Sequence, residues 1–155
     1  MPPPAGAPGT PAHPRIVIVA AKDYTYIPAS IDLYPGETVT LEVVNGGLIT
    51  HEVVLGGMGV QNAWETAEAV TSDLPPGRTP EVSVAPDVRG LRFVLRSGER
   101  VDATWTIPRD APNEVGGWFV GCHIPEHWAV GMVVPIRFLG ADGLPLPTGT
   151  VRPAP

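Results

Sequence analysis

The residues of this chain that could carry chemistry are concentrated in residues 121–132, Gly-Cys-His-Ile-Pro-Glu-His-Trp-Ala-Val-Gly-Met. This segment contains the single cysteine, two of the four histidines and one of the three methionines. Cys122, His127 and Met132 follow one another at intervals of five residues. A thiolate, an imidazole and a thioether form a soft ligand set that suits copper. The segment therefore predicts three ligands of a copper site.

A fourth ligand must come from elsewhere in the chain, and His51 is the best candidate. It lies in the apolar stretch 49–55, so that it would bind the metal from a separate strand. His13 is a poorer candidate because its proline-rich surroundings predict a solvated tail. His123 is also poorer, since neighbouring residues of a strand point to opposite faces and Cys122 points to the metal. Two histidines and a cysteine with a distant methionine are typical of copper sites that transfer electrons.

Three further groups of residues leave alternatives open. Met58 is a second candidate for the axial ligand, although its glycine-rich surroundings favour Met132. His123 is expected to be exposed or to make a local hydrogen bond. The apolar residues around the second loop histidine would be either ordinary loop packing or a docking patch for a redox partner; they are Ile124, Pro125 and Trp128.

Composition restricts the class of protein. The chain has 155 residues, of which 43% are hydrophobic and 17% charged, with 20 prolines and 18 glycines. This profile favours one domain of short strands and many turns. The net charge of −6 and the scattered basic residues exclude a nucleic-acid surface. A single cysteine excludes an internal disulfide and any four-cysteine metal site within the chain.

The pattern of apolar residues predicts the elements that would hold these ligands. Alternating or β-branched runs indicate about eight short strands in an all-β, Greek-key β-sandwich. Residues 61–70 have a helix-forming composition and lie in an insertion at 56–80, which continues through a Pro-Pro-Gly loop at 75–77. The strands are predicted at 16–20, 31–34, 38–44, 49–55, 81–85, 91–96, 101–107, 117–122 and 132–139, with a further extended stretch at 24–28.

These motifs resemble the cupredoxin family of copper proteins over roughly residues 15–139. The resemblance rests on Tyr26-Ile27-Pro28, Pro35-Gly36-Glu37-Thr38-Val39, Asn45-Gly46-Gly47, His51-Glu52-Val53-Val54, Gly121-Cys122, Pro125-Glu126-His127 and Gly131-Met132. It implies one bound copper with four ligands: His51, Cys122, His127 and Met132. The loop intervals are most similar to the rusticyanin type. Glu52 is a departure, because many members have Asn or Ser there to brace the cysteine loop, and Asn45 or Thr50 are the other candidates for this brace.

The resemblance also implies a function. Members similar to rusticyanin, azurin and plastocyanin carry one electron on a mononuclear type 1 copper, exchanging it with redox partner proteins such as a cytochrome or an oxidase. We therefore expect a monomeric electron carrier without substrate turnover. The alternatives are a copper storage or delivery protein, an accessory domain of a copper enzyme, which would need further metal ligands, and a metal-free interaction module.

The ends of the chain suggest a location. Residues 1–14 contain six prolines and predict a flexible tether, and residues 140–155 predict a loose Gly/Pro-rich tail. No apolar run approaches the length of a membrane span, and no secretory signal follows Met1. Because copper sites of this type work outside the cytoplasmic membrane, we expect a periplasmic or otherwise extracytoplasmic protein, tethered through a removed signal or lipid anchor.

Overall fold

The computed structural model describes residues 6–71 and 82–147. A four-stranded sheet forms one layer of the molecule, in the order β2-β1-β4-β7. β1 and β4 run parallel with Val17 opposite Leu41, while the other neighbours are antiparallel. The strands are β1 (Arg15–Lys22), β2 (Thr25–Ile27), β4 (Thr38–Asn45) and β7 (Arg100–Thr106).

A five-stranded sheet forms the second layer, in the order β3-β9-β8-β5-β6. β3 runs parallel to β9, and the remaining pairs are antiparallel. The pairing of β5 with β8 places Val54 opposite Gly121 and so brings the predicted fourth ligand next to the cysteine segment. The strands are β3 (Ile31–Leu33), β5 (His51–Gly57), β6 (Leu91–Leu95), β8 (Trp118–Gly121) and β9 (Val133–Phe138).

The core lies between the two sheets and is built by the alternation of side chains along each strand. Val19, Leu41, Leu55 and Ile136 are among its buried members. Cys122 and Met132 belong to the same apolar cluster. The observed architecture confirms the predicted all-β sandwich with a single α-helix in the described part of the chain.

α1 (Met58–Ala69) covers the outer face of the second sheet, where it packs on β5 and β8. Every residue of β5 is buried, because the core covers one face of this strand and α1 the other. The helix begins three residues before the predicted start at 61, with Gly57 at its N-cap. The helix includes Gly59, because packing on the sheet outweighs the propensity cost of one glycine.

One predicted strand is wrong in its described part. Residues 82–85 form no strand and lead into a short 3-10 helix, Pro86–Val88. Val82 and Val84 are half-buried and alternate with exposed residues. The alternation that predicted a strand therefore reflects an extended chain lying on the protein without a pairing partner. The predicted loop at 75–77 lies outside the described residues.

The described parts of the two terminal segments are bonded to the sandwich. Gly9 is buried, donates its N–H to Glu37 Oε2 at 2.9 Å and accepts a hydrogen bond from the N–H of Thr38 at 3.1 Å. At the other end, a bridge between Leu139 and Pro145 returns the chain onto β9. Among the described residues, no helix has the length and apolar character needed to cross a membrane.

Candidate metal centre

Three of the four predicted ligands meet at one end of the sandwich. His51 begins β5, Cys122 directly follows β8, and His127 lies in the loop that connects β8 to β9. One donor atom from each of the three residues lies within 4.8 Å of the others, and all three side chains are buried. Cys122 Sγ is 3.2 Å from His127 Nδ1. These atoms could therefore hold one metal ion.

The loop backbone keeps Met132, the remaining predicted ligand, beside these three residues. Met132 is fully buried, and its N–H donates to the carbonyl of His127 at 3.0 Å. The carbonyl of Met132 accepts the N–H of Cys122 at 3.2 Å. The three residues of the loop are thus tied together through their main chains. This closure of the loop explains why equal intervals in the sequence can bring a cysteine, a histidine and a methionine to one place.

The two ring nitrogens of His51 have different environments, and the difference suits a metal-binding histidine. Nε2 lies 2.8 Å from Asp23 Oδ1, whereas Nδ1 is buried and has no hydrogen-bond partner. The pKa of Asp23 is lowered, chiefly by this hydrogen bond with His51. A carboxylate on the far nitrogen commonly fixes the ring of a metal-binding histidine. A buried nitrogen without a partner costs free energy, so the donor set fits a metal that Nδ1 would bind.

Burial dominates the electrostatics of the other two donors. It raises the pKa of the Cys122 thiol to about 12, with the Glu52 carboxylate adding to the increase. It also lowers the pKa of His127, and the neighbouring His51 lowers it further. In the absence of a metal, His127 is therefore biased toward the neutral form and Cys122 toward the protonated thiol. A metal that bonds to sulfur must displace this proton.

The mouth of the site is formed by Tyr24 and the loop. The Tyr24 ring meets His127 edge-on at 5.1 Å between ring centroids and His51 at 6.1 Å. A depression of about 370 Å³ over His127 is lined by Tyr24, Pro125, Glu126 and Val130. Tyr24 and Glu126 are the two non-glycine residues with positive φ in the described chain, at 65° and 76°. The mouth thus contains backbone conformations that cost free energy, as functional sites often do.

The predicted apolar patch is only partly as expected. Pro125 lines the depression over His127. Ile124 packs against the core, and Trp128 turns away to stack on His123 at 4.9 Å between ring centroids. Tyr24 and Val130 lie around His127 instead, and neither was predicted from the sequence to belong to this patch. Sequence alone offers no signal for Tyr24, because it reaches the site through a turn between β1 and β2.

The brace of the cysteine loop is Glu52, the residue that departs from the family pattern. Its Oε1 accepts the main-chain N–H of His123 at 2.7 Å, and its Oε2 accepts Arg92 Nε at 3.2 Å. Asn45 instead bonds to the carbonyls of Ile49 and Leu95, each at 2.9 Å, and so supports the approach to β5. Glu52 therefore performs the bracing that a smaller polar residue was expected to perform.

The remaining candidates lie away from the cluster. His13 is exposed, as expected. His123 is buried, and its nitrogens lie 2.6 Å from Glu65 Oε2 and 2.6 Å from Gln61 Oε1. Of the two alternatives expected for His123, exposure is wrong because α1 covers this face of the sheet; the hydrogen bonds exist, but with residues that are distant in the sequence. Met58 begins α1 and lies beside Gly116.

Fold and cluster together define the class of this protein. The chain has the cupredoxin fold, and its His51, Cys122, His127 and Met132 cluster fits a type 1 copper site. No family model matches the chain.

Three individual proteins show the similarity in sequence or structure. The chain is 28% identical, over 132 residues, to the copper-resistant cuproprotein CopI of Rubrivivax gelatinosus, covering 84% of this chain and 70% of CopI. Auracyanin B superimposes with a TM-score of 0.58 at 27% identity, covering 88% of this chain and all of auracyanin B. Auracyanin A of Chloroflexus aurantiacus, described as a blue copper protein, gives a TM-score of 0.52 at 16% identity, over 81% of this chain and 98% of its own.

Proposed function

We propose that this protein is a mononuclear type 1 copper protein that carries one electron between redox partners. The observation that carries the proposal is the meeting of donor atoms from His51, Cys122 and His127 within 4.8 Å in a buried site. The buried Nδ1 of His51, which has no hydrogen-bond partner, supports it independently. A sulfur and two imidazoles, with a buried methionine alongside, select copper over hard cations such as magnesium.

Each residue has a definite part in this function. Cys122 would bind through its thiolate, His51 and His127 through their Nδ1 atoms, and Met132 through its thioether. The bound copper would supply the one-electron couple between Cu(I) and Cu(II). Burial of all four side chains excludes water from the site. The main-chain bonds of the loop hold the ligands in place, which limits the rearrangement that accompanies a change of charge.

The edge of His127 is the natural contact point for a redox partner. Its ring lies under the depression at the mouth, whose lining includes the exposed side chains of Tyr24 and Val130. Small apolar patches suit the weak, transient interfaces of electron-transfer complexes. We therefore propose a cytochrome or an oxidase as the partner. The protein would act as a monomer without substrate turnover.

A role in copper resistance is the second candidate. It is favoured by the 28% identity to CopI, whose name describes a copper-resistant cuproprotein. Resistance through rapid delivery of the metal is less compatible with a site whose donors are buried. Both roles would place the protein where copper and oxidising partners are available, outside the cytoplasmic membrane, and the proline-rich segment 1–14 would tether it there.

The absorption spectrum of the copper-loaded protein tests the proposal. We expect an intense visible band from charge transfer between the Cys122 thiolate and oxidised copper, and its loss in Cys122→Ser. His13→Ala is the matched control, because His13 is an exposed histidine outside the cluster. A colourless complex that yields copper rapidly to a chelator would refute the electron carrier and favour delivery.

A further inference from the structure

The face of the second sheet opposite the metal cluster carries a buried polar network. Cys122 belongs to the core side, and the next residue, His123, lies on the side covered by α1. Gln61 of α1 is fully buried and faces His123 Nε2 with Oε1 at 2.6 Å. The carboxylate of Glu65, one turn along the helix, lies 2.6 Å from His123 Nδ1. Both ring nitrogens of His123 are therefore held by α1.

Gln61 also bonds to the two strands that carry the ligands. Its Nε2 lies 3.0 Å from the carbonyl of Val54, 3.2 Å from that of Gly56 and 3.0 Å from that of Phe119. These carbonyls belong to β5 and β8, so one side chain spans both strands. The fit is close, because a Cβ on Gly121 would lie 2.7 Å from Gln61 Oε1. The helix is thus in direct contact with the end of β8, one residue before Cys122.

A second set of contacts, formed by charged groups, links α1 to the same part of the chain. Arg92 donates to Glu52 Oε2 at 3.2 Å and to Glu68 Oε1 of α1 at 3.3 Å. Its guanidinium lies 4.4 Å from the centroid of the Trp64 ring, also in α1. Glu52 and Glu68 are fully buried. Because Glu52 accepts the main-chain N–H of His123, both sets of contacts reach the residue that follows the cysteine.

We propose that α1 is a positioning element for Cys122. It acts through Gln61 and Glu65 on the His123 ring and through Glu68 and Arg92 on Glu52. The network fixes the residue after Cys122 at its ring and at its main-chain N–H, and it holds β5 against β8. It thereby sets the place of the sulfur relative to His51 before any metal binds. This inference rests on the proposed copper function, because the position of the sulfur matters only if it binds copper. The positioning itself is a property of the metal-free protein and can be measured there.

The first test measures the metal-free protein. In Gln61→Leu, we expect faster hydrogen exchange at the main-chain N–H groups of Cys122 and His123 and faster reaction of the Cys122 thiol with a disulfide reagent. Met58→Ala is the matched control, because it changes a half-buried residue at the start of the same helix that belongs to neither set of contacts. Glu65→Ala is a milder second variant, since the Glu65 side chain is 41% exposed and its truncation removes the contact with His123 Nδ1.

The second test measures copper binding by competition with a chelator. Loss of a residue that orients a metal ligand typically lowers the affinity roughly 10–100-fold, so we expect this decrease in Gln61→Leu and Glu52→Leu. Glu52→Gln should recover most of it, because its amide oxygen can still accept the His123 N–H. A changed reduction potential in the same variants would accompany the decrease.

The outcomes separate the two proposals. If wild-type protein with copper shows no intense visible band, the electron carrier is refuted, while the exchange measurement still decides the positioning role. If wild type shows the band but Gln61→Leu and Glu65→Ala match Met58→Ala in exchange, thiol reactivity and copper affinity, the positioning role is overturned.

Discussion

Glu68 is expected to make the stability of this protein depend on pH through a single buried proton. Its side chain is fully buried, and its Oε2 has no hydrogen-bond partner. Burial raises the pKa of Glu68 to about 9, and the neighbouring Glu52 carboxylate adds to the increase against the opposing effect of Arg92. One guanidinium cannot neutralise two carboxylates, so Glu68 holds its proton at neutral pH.

The sign and size of the effect follow from the difference in the pKa of Glu68 between the folded protein and the unfolded chain. The folded protein keeps the Glu68 proton up to about pH 9, whereas the unfolded chain releases it near the ordinary value of 4.5. Between these values the folded state binds more protons, so its stability falls as the pH rises. The maximal slope is about 1.4 kcal/mol per pH unit, which gives a decrease of roughly 3 kcal/mol between pH 6 and pH 8. Glu68→Gln removes this contribution, because the amide stays neutral and can still accept Arg92.

Urea denaturation at pH 6 and pH 8, with the protein kept in one metal state, measures the difference. The free energy of unfolding of Glu68→Gln should fall less over this range than that of wild type. Glu99→Gln is the control, since Glu99 is an exposed glutamate and its replacement should leave the wild-type slope unchanged. Equal slopes for wild type and Glu68→Gln would show that Glu68 is ionised in the folded protein and would refute the reasoning.

Three further changes test the metal centre. Asp23→Asn should lower copper affinity roughly 10–100-fold in a chelator competition, because the carboxylate that orients the His51 ring is lost. Met132→Gln should lower the reduction potential measured by voltammetry, since a harder oxygen donor favours Cu(II) over Cu(I). Gly121→Ala should lower the free energy of unfolding by about 1–3 kcal/mol, because the added Cβ would lie 2.5 Å from Trp128 Cζ3.

Each of these changes has a matched control elsewhere in the chain. Asp102→Asn removes an exposed carboxylate that pairs with Arg100, and Met58→Gln changes the methionine at the start of α1. Gly59→Ala adds a Cβ whose nearest neighbour is Val88 Cγ1 at 4.0 Å. An affinity, potential or stability that changes as much in the control as in the test variant would contradict the assigned role of the corresponding residue.

The sequence by itself determined the class of fold and the chemistry of the site. Alternating apolar residues predict half-buried strands because side chains of a strand point alternately to its two faces, and this pattern is local. The equal spacing of Cys122, His127 and Met132 is also local, since one loop brings the three together. For the same reason the alternation at 82–85 was misleading: it indicates an extended chain and not a pairing partner.

Only the tertiary structure decided how the site is held. His51 and Cys122 are distant in sequence and meet because β5 pairs with β8, a contact that no local pattern encodes. The position of Asp23 against His51 depends on a turn in the other sheet. Glu52 was a departure in the sequence and became a brace only because the segment that follows β8 presents the N–H of His123 to it. The ligands could be selected from sequence because their residue types and loop spacing are local features. The groups that position them could not, because their contacts arise from non-local pairing of strands.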